Sequence, residues 1–482
     1  MESSGGAANR SSRVNLSEAK PSAIELRGFI DAIKRDHPDD VLTIGRKIDP
    51  RFEITALVVK LEQERRFPIL IFENVRGSKF PVVTNVHASR RRLASAIGSE
   101  PRGAVAHYLK RIEQRIPPRE VASAPVKEVI LSSDQIDLRT LPQIVHHQDD
   151  AGPYLTAAVT LARDPLSGRL NCSFNRLMFL DKNRTSIHLT LAKHLWEFYT
   201  NAEKMKQPLP VAVILGAHPA WSLGALNIGS IDEEEFYLMG SLAGAPMEVV
   251  GAETLDLKVP ARAEMIIEGE ILPFERVDEG PFGEFTGYSL GSRKREVFQV
   301  KAITHRKDAF LHDIAVGHLD HLLLSTIPME ANLFRAVKAM VPSVKAVRIP
   351  APFTVYVAIE KKTEGQGKNA ILAALGADMY MKHVIVVDHD IDIFNDQRVQ
   401  WAIGTRCQAD RDVMIVANAG GSDLDPSDSK DGVTAKMGID ATAKPLLGSF
   451  TPRHRVPKEV FDRIDLNAFV PASWLAPKDG KR

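Results

Sequence analysis

The predicted secondary structure changes character twice along this chain, and those changes limit the folds that it can adopt. Helical and strand patterns alternate in residues 21–125, strands dominate in 126–320, and helices and strands alternate again in 321–482. Alternation is typical of α/β domains, whereas successive strands separated by turns indicate a sandwich or barrel. We therefore predict an α/β (α+β multidomain) fold, with an N-terminal α/β domain, a central β-barrel carrying helical insertions, and a C-terminal α/β domain.

Composition excludes several classes of function. The 482 residues include 62 basic and 61 acidic side chains, so a net charge of +1 gives no electrostatic attraction to nucleic acid or to an anionic membrane. No apolar stretch approaches the ~20 residues of a membrane span. Residues 1–20 lack the apolar run of a secretion signal and are expected to be a disordered tail. Only two cysteines are present, which favours a cytoplasmic protein without disulfides.

Two acidic residues flank a turn with restricted backbone freedom, Glu279-Gly-Pro-Phe-Gly-Glu284. The proline fixes its own φ, and the glycines permit backbone angles that other residues resist. Such a loop can bring both carboxylates to one cleft, where burial and like charge raise at least one pKa. A carboxylic acid that stays protonated near neutral pH can donate a proton to a reacting carbon. The alternative is an ordinary Pro-Gly hairpin with two solvated acids.

A second polar group lies upstream, in Asn171-Cys-Ser-Phe-Asn-Arg176. Alternation over 175–181 predicts a strand that places Arg176, Met178 and Leu180 on one face. A guanidinium among apolar side chains needs an anionic partner. The two glutamates of the later loop are the natural candidates.

Three residues of different chemistry form a candidate metal site. Asn171 offers an amide oxygen, His194 an imidazole near the start of a predicted helix, and Glu235 a carboxylate at the start of another. This mixture suits Mn²⁺ or Mg²⁺, with positions left for phosphate or water oxygens. Taken one at a time, a residue of any of these three types is more often structural than a metal ligand.

The pattern Asn-x-Ser-x-x-Arg, the histidine and glutamate that follow, and Glu-Gly-Pro-Phe-Gly-Glu together resemble the UbiD family. The resemblance extends from about residue 22 to the segment 438–442. It implies a reversible, non-oxidative decarboxylase of aromatic, heteroaromatic or α,β-unsaturated carboxylic acids that uses prenylated FMN, obtained through a flavin prenyltransferase. It also implies that the central domain is a split β-barrel that binds the flavin, and that the C-terminal domain assembles a homo-oligomer, either a dimer or a hexamer.

The resemblance further implies the cofactor site. Asn171, His194 and Glu235 would bind Mn²⁺ (or Mg²⁺), which would hold the cofactor phosphate, and a K⁺ ion would lie between Glu235 and backbone carbonyls of 224–227. The complete set of expected cofactor-binding residues is Asn171, Ser173, Phe174, Asn175, Arg176, Lys193, His194, Glu235 and Lys382.

Catalysis is expected to depend on Arg176, Glu279 and Glu284. By resemblance, Arg176 orients both acids and meets the substrate carboxylate, Glu279 balances the charge of the cluster, and Glu284 protonates the substrate carbon after carbon dioxide leaves a covalent adduct with the cofactor.

The sequence does not identify the acid that is the substrate, and it leaves other functions open. Phe285, His321 and Ile327 are candidate pocket residues, although His318-Leu-Asp-His321 is also typical of a structural pair, and His146 and His147 are expected to be exposed. One alternative function is a split-barrel flavin reductase or redox flavoprotein, since a fold does not fix a function. Another is a non-catalytic assembly or cofactor-carrier protein.

Overall fold

The computed structural model describes residues 24–191, 193–227, 235–428, 432–444, 454 and 456–471, and the expected tail 1–20 lies outside them. The fold is mixed α/β, as predicted. The elements of the first part are α1 Leu26–Asp36, β1 Val41–Ile44, α2 Glu53–Gln63, β2 Ile69–Phe72, β3 Val82–Thr84, α3 Arg90–Ala96, α4 Ala104–Ile112 and β4 Arg119–Glu120.

The strands of the middle part are β5 Val129–Ser132, β6 Tyr154–Leu155, β7 Val159–Arg163, β8 Leu170–Phe174, β9 Leu177–Met178, β10 Arg184–Ile187, β11 Leu209–Leu215, β12 Glu248–Gly251, β13 Lys258–Pro260, β14 Met265–Glu279, β15 Phe282–Gly283, β16 Ser289–Leu290, β17 Arg293–His305 and β18 Leu311–His312. Its helices are α5 His194–Lys204, α6 Pro219–Gly224 and α7 Glu235–Ala243.

The elements of the last part are α8 Leu319–Leu324, α9 Thr326–Met340, β19 Val344–Ala351, β20 Thr354–Ile359, α10 Gln366–Ala377, β21 His383–Asp388, α11 Asp396–Arg406, α12 Ala409–Asp412, β22 Val413–Gly420, β23 Val433–Ala441 and α13 Lys458–Arg463. None of the helices in the described part of the chain combines the length and the apolar character needed to cross a membrane.

A seven-stranded antiparallel sheet forms the centre of the molecule. Its strand order is β10-β17-β14-β11-β7-β8, with β5 paired to β17. Strands β14 and β17 are the longest, and their pairing continues until Glu279 lies opposite Arg293. These two strands therefore place Glu279, the first acid of the turn, at the end of β14, directly before the loop that ends at Glu284.

Two of the remaining sheets have four or more strands. The first is four-stranded, in the order β1-β2-β3-β18, so a short strand from the middle of the chain completes a sheet built by the first part. The second is five-stranded, in the order β19-β20-β21-β23-β22, with β20, β21 and β23 parallel. Helices α9 and α10 pack on this sheet through a continuous apolar cluster.

The strand predicted over 175–181 is wrong in its bounds. Strand β8 ends at Phe174, β9 covers only Leu177–Met178, and Asn175 and Arg176 lie between the two strands. The break is held by hydrogen bonds to a neighbouring segment: Asn175 Nδ2 donates to the carbonyl of His188 at 2.9 Å, and the His188 amide donates to the carbonyl of Arg176 at 3.1 Å. These contacts replace regular strand pairing and leave the guanidinium of Arg176 directed towards its ion-pair partners.

Candidate functional site

The turn between β14 and β15 brings two buried acids to one place. Glu279 is 2% exposed and Glu284 is 8% exposed. Gly280 has φ +91°, a backbone angle that L residues rarely adopt. A Cβ atom on Gly283 would lie 3.3 Å from the Nδ1 atom of His147, so a larger residue there would crowd this ring. The path of the loop therefore favours glycine at 280 through its backbone angle, and glycine at 283 leaves room for the His147 ring.

Arg176 joins the two acids. Its Nε atom donates to Glu279 Oε1 at 3.0 Å, and its Nη1 atom donates to Glu284 Oε1. The guanidinium also lies over the ring of Phe282, with 5.0 Å between its carbon and the ring centroid. Because Met178 and Leu180 pack in the same apolar cluster as Phe282, the arginine does occupy the apolar setting inferred from the sequence. The structure thus brings Arg176, Glu279 and Glu284 together.

The surroundings of this cluster raise the pKa of one of its acids, Glu284. Burial raises the pKa of Glu284, and the negative charges of Glu279 and Asp423 raise it further, while Arg176 opposes them. For Arg176, burial acts to lower the pKa, but the two carboxylates outweigh it and the pKa is raised. The cluster therefore combines a permanent cation with a carboxyl group that keeps its proton to a higher pH than a solvated glutamate does. This is the property that a general acid needs.

A second cluster forms where two helices begin beside β8. His194 is the first residue of α5, and its Nδ1 atom lies 3.2 Å from Asn171 Oδ1. Glu235 is the first residue of α7, and its Oε2 atom accepts a hydrogen bond from the Cys172 amide at 2.6 Å. The helix predicted to begin at Glu235 is described from that residue onward. The Asn171 amide oxygen and the His194 imidazole thus lie side by side, and the Glu235 carboxylate contacts the backbone of the next residue in the same strand.

The donor set of this second cluster fits a hard or borderline divalent cation such as Mn²⁺ or Mg²⁺. Within the described residues there is no group of three or more His, Cys, Asp or Glu side chains arranged to hold a metal ion. The cluster has one imidazole and one carboxylate, and its third donor is an amide, so it is a different kind of site from such a group.

Polar side chains of β8, and of the residue that follows it, are hydrogen-bonded in a row between the two clusters. Ser173 Oγ donates to Asn175 Oδ1 at 2.8 Å and accepts from Asn171 Nδ2 at 3.3 Å. Side chains two residues apart lie on one face of a strand, so these three polar groups form a row that leads from Asn171 to the residue before Arg176. Phe174, on the opposite face, is half-buried and packs against two apolar clusters.

Comparison with known proteins identifies the family. Models of the 3-octaprenyl-4-hydroxybenzoate carboxy-lyase N-terminal, Rift-related and C-terminal domains match residues 34–112, 119–319 and 322–441. The chain belongs to the UbiD family of decarboxylases. It is 36% identical to the anhydromevalonate phosphate decarboxylase of Methanosarcina mazei over 437 residues, which cover 90% of this chain and 99% of that protein.

Solved UbiD-class structures have the same fold. The enzyme HmfF from Pelotomaculum thermopropionicum in complex with FMN is 40% identical, with a TM-score of 0.87, and the match covers 92% of this chain and 100% of that one. An evolved dimeric form of HmfF in complex with prenylated FMN is 38% identical, with a TM-score of 0.83 and the same coverage. Structural neighbours of this chain therefore bind FMN or its prenylated form.

The two lysines expected at the cofactor of this UbiD-family chain lie in different surroundings. Lys193 is exposed at the residue before α5, beside the second cluster. Lys382 has partners of its own: its Nζ atom lies 2.6 Å from Asp425 Oδ2 and 2.6 Å from Ser427 Oγ. It borders an open cavity of about 300 Å³ formed by β22, β23 and the segment between them. The structure does not bring Lys382 into either cluster described above.

Aromatic rings surround the residue after Glu284. The ring of Phe285 lies edge-on to those of Phe353, Tyr380 and His321, at centroid distances of 5.5, 6.0 and 6.2 Å. Burial lowers the pKa of His321 to about 4, so this imidazole is neutral at physiological pH. Ile327, the third candidate pocket residue, is instead fully buried in the core beside α6 and α7.

Two other histidines, His146 and His318, lie against carboxylates, and the prediction about the first of them was wrong. His146, expected to be exposed, is 3% exposed, and its Nε2 atom lies 3.2 Å from Asp313 Oδ1. No local pattern revealed this, because the aspartate comes from a distant segment of the chain. His318 Nδ1 lies 2.8 Å from Glu62 Oε2, which supports the structural reading of the His-x-x-His pair.

Sequence reasoning also missed two residues beside the acids. The Arg295 Nε atom lies 3.4 Å from Glu279 Oε2, and the ring of Tyr154 lies 3.9 Å from that of Phe282. The alternation of Arg293 and Arg295 was a usable signal, because a strand antiparallel to one that ends in an acid can place alternate basic residues beside it. Nothing in the local sequence pointed to Tyr154.

Proposed function

We propose that this protein is a reversible, non-oxidative decarboxylase of an aromatic, heteroaromatic or α,β-unsaturated carboxylic acid that uses prenylated FMN. One observation carries the proposal: Arg176 bridges two buried glutamates, and burial raises the pKa of Glu284. A redox flavoprotein has no need for such an arrangement, whereas decarboxylation requires a proton donor for the carbon that loses carbon dioxide.

The side chains divide the reaction between them. Arg176 orients both glutamates and offers its guanidinium to the substrate carboxylate. Glu284, protonated, delivers its proton to the carbon from which carbon dioxide has departed, and it takes up a proton from solvent before the next turnover. Glu279 holds the arginine in place and balances its charge. In the reverse direction Glu284 removes the proton from the same carbon.

Prenylated FMN, when bound, would supply the group that bonds to the substrate and accepts the electron pair left by carbon dioxide. Asn171, His194 and Glu235 would hold Mn²⁺ (or Mg²⁺) against the cofactor phosphate. The carbonyls of 224–227, at the end of α6, would hold K⁺ together with Glu235. Ser173, Phe174, Asn175 and Lys193 would line the cofactor. Lys382 is the least supported member of the set, because Asp425 already neutralises its charge.

The substrate would lie beside Glu284, against the rings of Phe285, Phe353 and Tyr380. Flat apolar walls with a neutral imidazole favour a planar, weakly polar acid. The name of the Methanosarcina mazei relative nevertheless makes a phosphorylated unsaturated acid a necessary member of any substrate panel.

We further propose that the chain has three domains, 21–125, 126–320 and 321–482, with a split barrel in the second and subunit assembly in the third. Matches of three separate family models support this division. Exposed apolar side chains near the end of the chain support a homo-oligomer, a dimer or a hexamer; they are Val456, Phe461, Ile464, Leu466 and Phe469. Light scattering coupled to gel filtration would give the subunit number.

The decisive experiment is to produce the chain with and without a flavin prenyltransferase and to measure carbon dioxide release from a panel of acids. The panel contains benzoates, phenolic acids, heteroaromatic acids and α,β-unsaturated acids with and without a phosphate group. Release that requires both the prenyltransferase and Glu284 would support the proposal. Bleaching of the bound flavin by NAD(P)H, with no carbon dioxide from any acid, would instead favour a reductase.

A further inference from the structure

A second guanidinium faces Glu279, and the reaction proposed above gives it no role. The Arg295 Nε atom lies 3.4 Å from Glu279 Oε2, while Arg176 binds the other oxygen at 3.0 Å. The Glu279 side chain is 1% exposed and that of Arg295 is 15% exposed. Each oxygen of this carboxylate therefore has its own arginine.

Glu279 also interacts with the hydroxyl of Tyr154, but neither of the two facing atoms has a hydrogen-bond partner among the described residues. These atoms, Glu279 Oε2 and Arg295 Nε, are both buried. Their separation is slightly longer than a hydrogen bond but within ion-pair range. Buried polar atoms are seldom left unpaired, because desolvation without a partner is costly. Each atom is thus the natural partner of the other.

Strand register explains why Arg295 faces the acid. In the pairing of β14 with β17, Glu279 is opposite Arg293 and Val277 is opposite Arg295. Side chains two residues apart on β17 share a face, so both arginines lie on the side of Glu279. Arg293 is half-exposed and binds Asp423 at 2.7 Å. Arg295 is therefore the more buried of the two arginines and the one that faces Glu279.

Once Glu284 has given up its proton, the charges of the cluster balance only when this residue is counted. Arg176 carries one positive charge against the two carboxylates of Glu279 and Glu284, and Arg295 supplies the second positive charge. We propose that Arg295 is a positioning residue that holds Glu279 in place, so that Arg176 remains shared between both acids and the proton affinity of Glu284 stays moderate. This inference rests on the proposed function, because it takes Glu284 as the proton donor.

Other charges around the cluster also act on it. Glu284 faces Arg176, Glu279, Asp423 and Tyr380. Arg295 faces Glu279, Arg176, Arg293 and Glu296, in addition to the burial that lowers its pKa. His188 lies near the same three arginines; burial and their charges lower its pKa to about 2, so it adds no charge.

Removal of Arg295 should raise the pKa of Glu284. Arg176 would then be the only arginine paired with Glu279, and its interaction with Glu284 would weaken. With both acids ionised, the buried cluster would also carry a net negative charge. Loss of one positive charge at the separation of neighbouring side chains corresponds to a shift of about one pH unit.

The test is a ¹³C NMR titration of the Glu284 carboxyl in the cofactor-free protein labelled at glutamate, with the spectrum of Glu284→Gln used for assignment. We expect the pKa of Glu284 to rise by about one unit in Arg295→Met. In Arg295→Lys, which keeps the positive charge, we expect the pKa of Glu284 to lie close to its wild-type value. The matched control is Lys294→Met, which removes the same charge from the same strand. Lys294 pairs with Asp278 on the surface, where both side chains are about two-thirds exposed, and no shift is expected.

The same substitution made in the Glu279→Gln variant tells whether Arg295 acts on Glu284 through Glu279 or only through its own charge. In Glu279→Gln, the further change Arg295→Met should have less than half the effect that it has in the wild-type protein. An unchanged Glu284 titration in Arg295→Met, or an equal shift in both backgrounds, would overturn the proposal; if Arg295→Met does not fold, Arg295→Gln is used in the same comparison. Because neither cofactor nor substrate is present, the outcome is independent of whether the loaded wild-type enzyme releases carbon dioxide.

Discussion

The Oδ1 atom of Asn171 lies 3.2 Å from the Nδ1 atom of His194, although the two residues come from a strand and from the first turn of a helix. Glu235 begins another helix and binds the amide next to Asn171. The proposed ligands Asn171 and His194 are thus in contact, and the proposed ligand Glu235 contacts the next residue of the strand. A preformed arrangement of this kind loses little conformational freedom when a cation binds.

We therefore expect the purified, cofactor-free protein to bind Mn²⁺, and His194→Ala to weaken binding by at least about 100-fold. The loss of a ligand leaves two donors, which cannot hold the ion against water. Electron paramagnetic resonance of free Mn²⁺ during a titration would measure the effect. The exposed histidine His389 provides the control, since His389→Ala should bind Mn²⁺ normally. Equal binding by wild type and His194→Ala would remove the proposed metal role.

Replacement of the proposed acid should separate binding from chemistry. Glu284→Gln keeps the size of the side chain and can still meet Arg176 through its amide oxygen, but it cannot deliver a proton. We expect normal flavin content and a fall in turnover of at least about 10³-fold. Exchange of solvent deuterium into product, followed by mass spectrometry, should fall in parallel. A variant that exchanges deuterium at the wild-type rate would show that another group donates the proton.

Arg176→Ala should destabilise the protein in a way that depends on pH. The change leaves two buried carboxylates without their shared cation, and breaking such a pair costs about 3–5 kcal/mol. Lower pH relieves this cost, because a carboxylate that takes up a proton no longer needs a counter-ion. The free energy of unfolding in urea should therefore differ less from wild type at pH 5 than at pH 8.

The control for this variant is Arg184→Ala, which removes an arginine from a surface pair with Asp181. Both side chains are about 40% exposed, so a loss of no more than about 1 kcal/mol is expected, with little change between the two pH values. An effect of Arg176→Ala as small as that of the control would mean that the two acids are already neutral in the wild-type protein.

Local patterns predicted the chemistry of this chain better than its geometry. The turn residues around Pro281 and the residue types at Asn171 and His194 were readable because each depends on a few neighbours in sequence. The break at Asn175 was not, since it depends on backbone bonds to His188, and neither was the burial of His146 against Asp313. Strand β18, only two residues long, joins a sheet whose other strands lie more than 200 residues earlier. Such contacts are set by tertiary packing, which overrides local preference.

The raised pKa of Glu284 also has a consequence for stability. Burial raises this pKa above the value of 4.5 expected in the unfolded chain, so the folded state holds the proton more tightly than the unfolded state does. The stabilising contribution of the protonated carboxyl is fully present below pH 4.5 and is lost as pH rises through the folded pKa. Glu284→Gln lacks this proton, so its stability relative to wild type should increase over that window, by at most about 1.4 kcal/mol per pH unit.

Glu203 provides a control of opposite sign. Although burial acts to raise its pKa, hydrogen bonds from Tyr199, the Phe274 amide and Arg276 outweigh burial and lower it. Its contribution is therefore present above the unfolded pKa and is lost as pH falls, so Glu203→Gln should be most destabilising at neutral pH. Urea unfolding of both variants and wild type between pH 4 and 8 would show trends of opposite sign relative to wild type. Parallel trends would mean that folding lowers the pKa of the Glu284 carboxyl, as it does for Glu203, and does not raise it.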